Sequence, residues 1–172
     1  MTAIIRGKRI FPLLAIVGMV QFAAPVAAEP VKIEAVLSPK EQLRLDFADG
    51  SKRYLAMVRR EGKVTGQGIL AGGTATEWGM HDVTPGVGAN AQGYLVFTMP
   101  DGDIVYIKSQ FRAVFVTGPD KKPVDLLNGS WEVVGGTGKL KALKGAGILR
   151  IERVSPTDRK WILEGDLVQA AQ

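Results

Sequence analysis

Along residues 104–117, Val105, Ile107, Phe111, Ala113 and Phe115 fall on one side of the chain, and Tyr106, Lys108, Gln110 and Arg112 on the other. Alternation with a period of two is the signature of a strand whose successive side chains point to opposite faces; a helix would scatter these residues around its axis. One face is therefore a core face, and the other is a polar ladder that lines either solvent or a wet cavity. Upstream, Tyr94 to Met99 reads as a second strand, and Pro100-Asp101-Gly102-Asp103 supplies the tight reversal that joins the two as a hairpin.

The same grammar recurs along the chain. Residues 29–40 form an extended, proline-punctuated segment. After it Leu43, Leu45 and Phe47 alternate with Arg44 and Asp46 as in a half-buried strand, and Asp49-Gly50 closes that strand with a turn. Tyr54, Ala56 and Val58 then share one side of 52–60, so the opening reads as another hairpin. Further strands are expected at 129–135, 145–154 and 160–168, separated by glycine-rich or Ser-Pro-Thr-Asp turns. Helical periodicity is confined to 139–144, too short to stand as an independent helix. Residues 72–92 read as one long irregular loop. Many strands with closely spaced turn signals and almost no helix predict an all-β domain, a single antiparallel sheet closed into a barrel.

Arg6, Lys8 and Arg9 precede an apolar run over 10–22, and Val26-Ala27-Ala28 supplies small residues, the pattern of a bacterial-type signal-peptide helix cleaved near Ala28. The expected organisation is thus a signal peptide at 1–28, the extended segment at 29–40 and the β-barrel domain at 41–172. The expected destination is the periplasm or the medium, with no stable membrane insertion after cleavage. Of the 22 basic residues three lie in the leader, which leaves 19 against 17 acids, a net charge of +2 in place of +5. So balanced a surface excludes a nucleic-acid partner, which needs basic residues concentrated at phosphate spacing. The chain has no cysteine. Disulfides, thiolate chemistry and cysteine metal sites are excluded with it.

The segment Gly135-Gly136-Thr137-Gly138-Lys139 invites a phosphate-loop reading, but the loop would need a glycine where Val133 stands and a hydroxyl residue where Leu140 stands. Turning between strands is the better use of those glycines. Extended to Trp131-Glu132-Val133-Val134 before it and Leu140-Lys141-Ala142-Leu143-Lys144-Gly145-Ala146-Gly147 after it, the stretch resembles the glycine-rich signature of the allene oxide cyclase and dirigent barrel superfamily. Leu140 stands in place of the usual aromatic residue. The resemblance implies an eight-stranded antiparallel barrel, a lumen able to hold an apolar small molecule, and a trimer. It carries no catalytic residues over, because the family's site positions lie outside the matching stretch.

Two constellations could carry chemistry. Glu77-Trp78-Gly79-Met80-His81-Asp82 contains the sole histidine of the chain, an imidazole that titrates near neutral pH and that Asp82 or Glu77 could orient as a general acid or base. Alternatively Trp78 plugs a barrel end and His81 hydrogen-bonds loop backbone. One histidine with two carboxylates is a poor ligand set, so no metal is expected, and nothing in the sequence implies a cofactor. In the second constellation Tyr106, Arg112, Trp131 and Glu132, with Lys108, could line the lumen around an amphipathic ligand; the structural alternative places Trp131 in the core and Lys108 and Arg112 in solvent. The expected function is binding of a small apolar or amphipathic molecule in the lumen, with no dedicated catalytic set. Two alternatives stand beside it: an isomerase or cyclase that confines its substrate and polarises it through Glu132 or Tyr106, and an envelope interaction protein that uses the 72–92 segment.

Overall fold

The structure, a computed structural model, describes residues 28–120 and 123–170. The signal peptide expected at 1–28 lies outside the described residues except for Ala28. Eight strands follow one another: β1 (Glu29–Asp46), β2 (Tyr54–Gln67), β3 (Thr74–Thr84), β4 (Gly88–Thr98), β5 (Ile104–Thr117), β6 (Pro123–Gly136), β7 (Leu143–Arg153) and β8 (Arg159–Gln169). Each pairs antiparallel with its neighbours in sequence, and β1 pairs with β8 from Glu29↔Leu167 to Leu37↔Arg159, which closes the barrel. Closure leaves β1 and β8 paired rather than as free edges over this stretch. The segment at 29–40 is thus mostly barrel wall, with Val31, Ile33, Ala35 and Leu37 buried inside.

Inward positions alternate with outward ones along the strands, as the pleat requires, except where bulges shift the register in β1 and β6. Phe97, Val105, Ile107, Trp131, Leu149 and Leu163 belong to one buried core inside the barrel. At one end, the connections after β2, β4 and β6 drop Leu70, Met99 and Leu140 into the barrel, all buried. Burying each of these side chains contributes about 1.5–3 kcal/mol and shuts that end. The glycine-rich signature belongs to this closure. Gly138, at φ +48°, starts a single 3₁₀ turn (Gly138–Leu140) that points Leu140 inward. Asp103 of the β4–β5 turn accepts from the Lys139 amide at 2.9 Å, and Lys139 Nζ reaches Asp101 at 2.8 Å. The later glycines make room for an indole: Gly147 faces Gly165 across β7 and β8, and a Cβ on Gly165 would lie 2.8 Å from Trp131 Cζ2 and 2.3 Å from the Ala146 carbonyl oxygen.

Two expectations are corrected here. Leu43 and Leu45 are 73% and 61% exposed, and Phe47 is exposed as well. The β1–β2 register slips between Pro39 and Glu41, and a one-residue bulge exchanges the two faces of a strand. Beyond the bulge Gln42 lies opposite inward Val58, and Leu43 and Leu45 face outward. Residues 72–92, expected as a loop, are β3 and the start of β4 joined by a short turn at 85–87, paired from Thr74↔Thr98 to Thr84↔Gly88. Apart from Val83, their inward positions are Ala75, Glu77, Gly79, His81, Ala89 and Ala91, so most of the alternation carries small and polar residues where a strand usually shows branched apolar ones.

Candidate functional site

A strand places residues i and i+4 on one face about 13 Å apart along an ideal strand, yet the inward side chains of Glu77 and His81 on β3 meet, His81 Nε2 lying 2.9 Å from Glu77 Oε1. The residue between them is Gly79, where a Cβ would stand 2.6 Å from that carboxylate and 2.8 Å from that imidazole nitrogen. Glycine is the space in which the bond forms. From β2, Arg60 Nη1 donates to the other oxygen of the same carboxylate at 2.7 Å. Glu77 is 2% exposed, and the Arg60 and His81 side chains are largely buried. An anion in an apolar barrel survives when its charge is paired and its oxygens accept hydrogen bonds, and Glu77 has both. The His81 ring meets Phe111 edge to face at 5.5 Å, and Phe111 meets Trp161 likewise at 5.6 Å.

This cluster sits beneath the end of the barrel that is not plugged. A cavity of about 210 Å³ lies there, lined by Arg60, His81, Phe111, Phe115, Leu127 and Trp161, with Tyr54, Asp125, Arg153 and Arg159 around its mouth. Arg153 pairs with Asp125. Arg159 donates to the main-chain oxygens of Ser155 at 3.1 Å and Asp158 at 2.9 Å. Burial holds the Arg159 guanidinium below the ordinary arginine value, and the neighbouring charges of Arg153 and Arg60 act in the same direction. Arg60 Nε and Trp161 Nε1 are buried without a hydrogen-bond partner. Chemically, an imidazole backed by a carboxylate can pass a proton to or from a bound molecule, and the guanidinium groups can hold an anion.

Among the residues predicted for a site, the structure brings His81 alone to this cavity. Trp131 is buried deeper in the core and donates from Nε1 to the Glu164 carbonyl at 3.3 Å. Tyr106, Arg112 and Glu132 face outward, not into the lumen; Glu132 stands 3.9 Å from Lys108 across β5 and β6. The proposed polarising roles of Glu132 and Tyr106 inside the barrel are therefore corrected. Asp82 is on the outer rim, where Arg53 Nε donates to it at 2.7 Å and holds its carboxyl below the usual range, through that bond first and the charge second. Trp78 does not plug an end: it is 53% exposed on the outer wall, and His81 bonds a side chain rather than loop backbone. The sequence reading missed Arg60, Trp161 and Arg159. Arg60 continues the inward register of Ala56 and Val58, and a charge on an apolar face was the signal available.

The outer wall carries a second feature. Leu43, Met57, Trp78, Met80 and Tyr94 line a groove of about 470 Å³ and are all exposed. The Arg59 guanidinium lies 5.7 Å from the Trp78 ring and donates to Glu41 at 2.7 Å. Among the described residues no helix is long and apolar enough to cross a membrane, and no group of three or more histidine and acidic side chains is placed to hold a metal ion.

No protein-family model matches the chain, and no curated protein matches it by sequence. Solved structures do. A β-barrel-like protein from Acinetobacter baumannii AYE superposes with a TM-score of 0.58 at 12% identity, over 85% of this chain and 98% of that one. A protein of unknown function from Clostridium acetobutylicum ATCC 824 superposes with a TM-score of 0.55 at 11% identity, over 81% and 97%. The pterocarpan synthase dirigent protein aligns at a TM-score of 0.48 and 12% identity, over 89% and 99%. The first two likenesses show a shared barrel fold, and at such identities a fold carries no activity with it.

Proposed function

We propose that this is an exported barrel that binds a small amphipathic molecule at the unplugged end of its lumen. The observation that carries the reading is the contrast between the two ends. One is packed shut by Leu70, Met99 and Leu140, and the other holds a cavity with aromatic walls and convergent polar groups. Concave sites that are mostly apolar with a few placed polar groups are the usual form of small-molecule sites. Export is supported by the leader at 1–28. The test is a titration of tryptophan fluorescence with aliphatic and aromatic alcohols, amides and acids. At least one class is expected to give a saturable change through Trp161. The variant Ala89→Phe, which places a ring in the cavity from the rim of β4, is expected to abolish that change while keeping its melting temperature. A response that survives the filled cavity overturns the reading.

A second reading is favoured by the outer wall. We infer that the groove lined by Leu43, Met57, Trp78 and Tyr94 is where copies of this chain associate, as the trimer implied by the resemblance would require. Clustered exposed apolar and aromatic side chains mark association surfaces more often than solvent-facing walls. Sedimentation velocity is expected to show an oligomer for the native chain and a monomer for Trp78→Glu. A native chain that sediments as a monomer across the micromolar range removes this reading.

A further inference from the structure

We propose that the molecule held in the mouth is a monoanionic carboxylic acid with a compact apolar body, its two oxygens accepting from Arg60 Nε and Trp161 Nε1. The inference rests on the lumen-binding reading above and names the chemistry of its ligand. Two buried N–H groups without acceptors, both on side chains that line one cavity, are an unusual expense for a folded protein, because each has given up water for nothing. Both are donors and neither can accept, so the missing partner is an acceptor. A carboxylate offers two oxygens on one rigid plane, one for each of the two donors, which stand on β2 and β8.

The charge around the cavity points the same way. Arg60, Arg153 and Arg159 face it, against Glu77 and Asp125. Glu77 is engaged by Arg60 and Asp125 by Arg153, which leaves Arg159 to donate to main-chain oxygens. Its guanidinium is already disfavoured by burial and by its two cationic neighbours, and a bound monoanion would relieve that repulsion. Asp125 and Asp158 already offset part of that repulsion, which favours one negative charge over the two of a dianion such as hydrogen phosphate. The rest of the lining, with Phe111, Phe115 and Leu127, suits an apolar body and offers a polyhydroxylated one little.

Isothermal titration calorimetry at neutral pH with octanoate, phenylacetate, their amides and inorganic phosphate tests this. At least one acid is expected to bind at least about tenfold more tightly than its amide, because the amide has no charge to offer Arg159. Trp161→Phe keeps an aromatic ring and removes one donor, and Arg159→Gln removes the cation that carries no hydrogen bond to another side chain. Each is expected to weaken the acid at least about tenfold; Arg159→Gln is expected to leave the amide unchanged, and Trp161→Phe to weaken it too, since the amide carbonyl can accept from the same N–H. Either variant suffices if the other does not fold. Acid and amide binding equally would overturn the carboxylate while sparing the lumen reading. Binding of neither by the native chain would overturn the carboxylate, and the lumen reading with it if the alcohols are silent as well. Phosphate binding as tightly as the acids, or acid binding indifferent to both variants, would overturn the assignment of charge and donors.

Discussion

Replacing Glu77 with Ala is expected to lower the free energy of unfolding by about 3–5 kcal/mol, since it leaves the largely buried Arg60 guanidinium without its counter-charge and His81 without its partner. Single domains are stable by only about 5–15 kcal/mol, so the variant would stand close to unfolding at room temperature. In heat the same loss corresponds to a fall of roughly 6–20 °C in Tm, at the roughly 2–4 °C per kcal/mol of chains near this size. The cause is the orphaned charge rather than the lost attraction, and a double variant separates the two. Arg60→Met with Glu77→Leu removes both charges, and it is expected to recover most of the loss because apolar side chains of similar volume replace a buried pair at little cost. Urea unfolding followed by tryptophan fluorescence measures both. A loss below about 1 kcal/mol for Glu77→Ala would mean that water reaches the cluster and that the pair is not buried in the energetic sense.

Trp131→Ala is expected to cost about 3–5 kcal/mol, the range for removing a large aromatic side chain from a core. Here the void cannot close, because the indole lies over Gly147 and Gly165, which have no side chains to move into it. Trp131→Phe is expected to cost less, mostly for the Glu164 carbonyl left without its donor. The diagnostic readout is ligand affinity of the folded fraction. Trp131 lies outside the cavity at the mouth, so affinity should hold while stability falls. A variant that loses affinity in proportion to nothing else would return Trp131 to the binding site where the sequence reading first considered it.

Much of the barrel was legible because a period of two survives wherever inward residues are apolar. Residues 104–117 are the plain case: that strand and the turn before it stand as read, and its partner, read from Tyr94, begins six residues earlier at Gly88. Residues 72–92 were illegible for the opposite reason. Ala75, Glu77, Gly79 and His81 occupy all the inward positions of β3 before Val83, and one branched apolar residue is too few for a hydrophobicity pattern to register. Leu43 and Leu45 misled because the bulge after Pro39 reverses the faces, and nothing in a hydrophobic alternation shows which face is inside.

The candidate site divides along the same line. His81 was singled out as the sole histidine, and Glu77 was named as a group that could orient it, because both are chemistry on a short stretch of chain. Arg60 stands directly opposite Glu77 in the β2–β3 pairing, whereas Trp161 and Arg159 come from β8, which meets β3 across the lumen only when the sheet closes. The sequence by itself determined that the chain is built from antiparallel strands joined by tight turns, and that its glycine-rich stretch turns the chain between two of them. Those are local properties, set by the alternation of side chains and the φ that each turn needs. Which faces point inward, which end is plugged and which charges share a cavity were decided by closure. Closure fixes strand register around a ring, and a single bulge or an inward glycine changes what meets inside it.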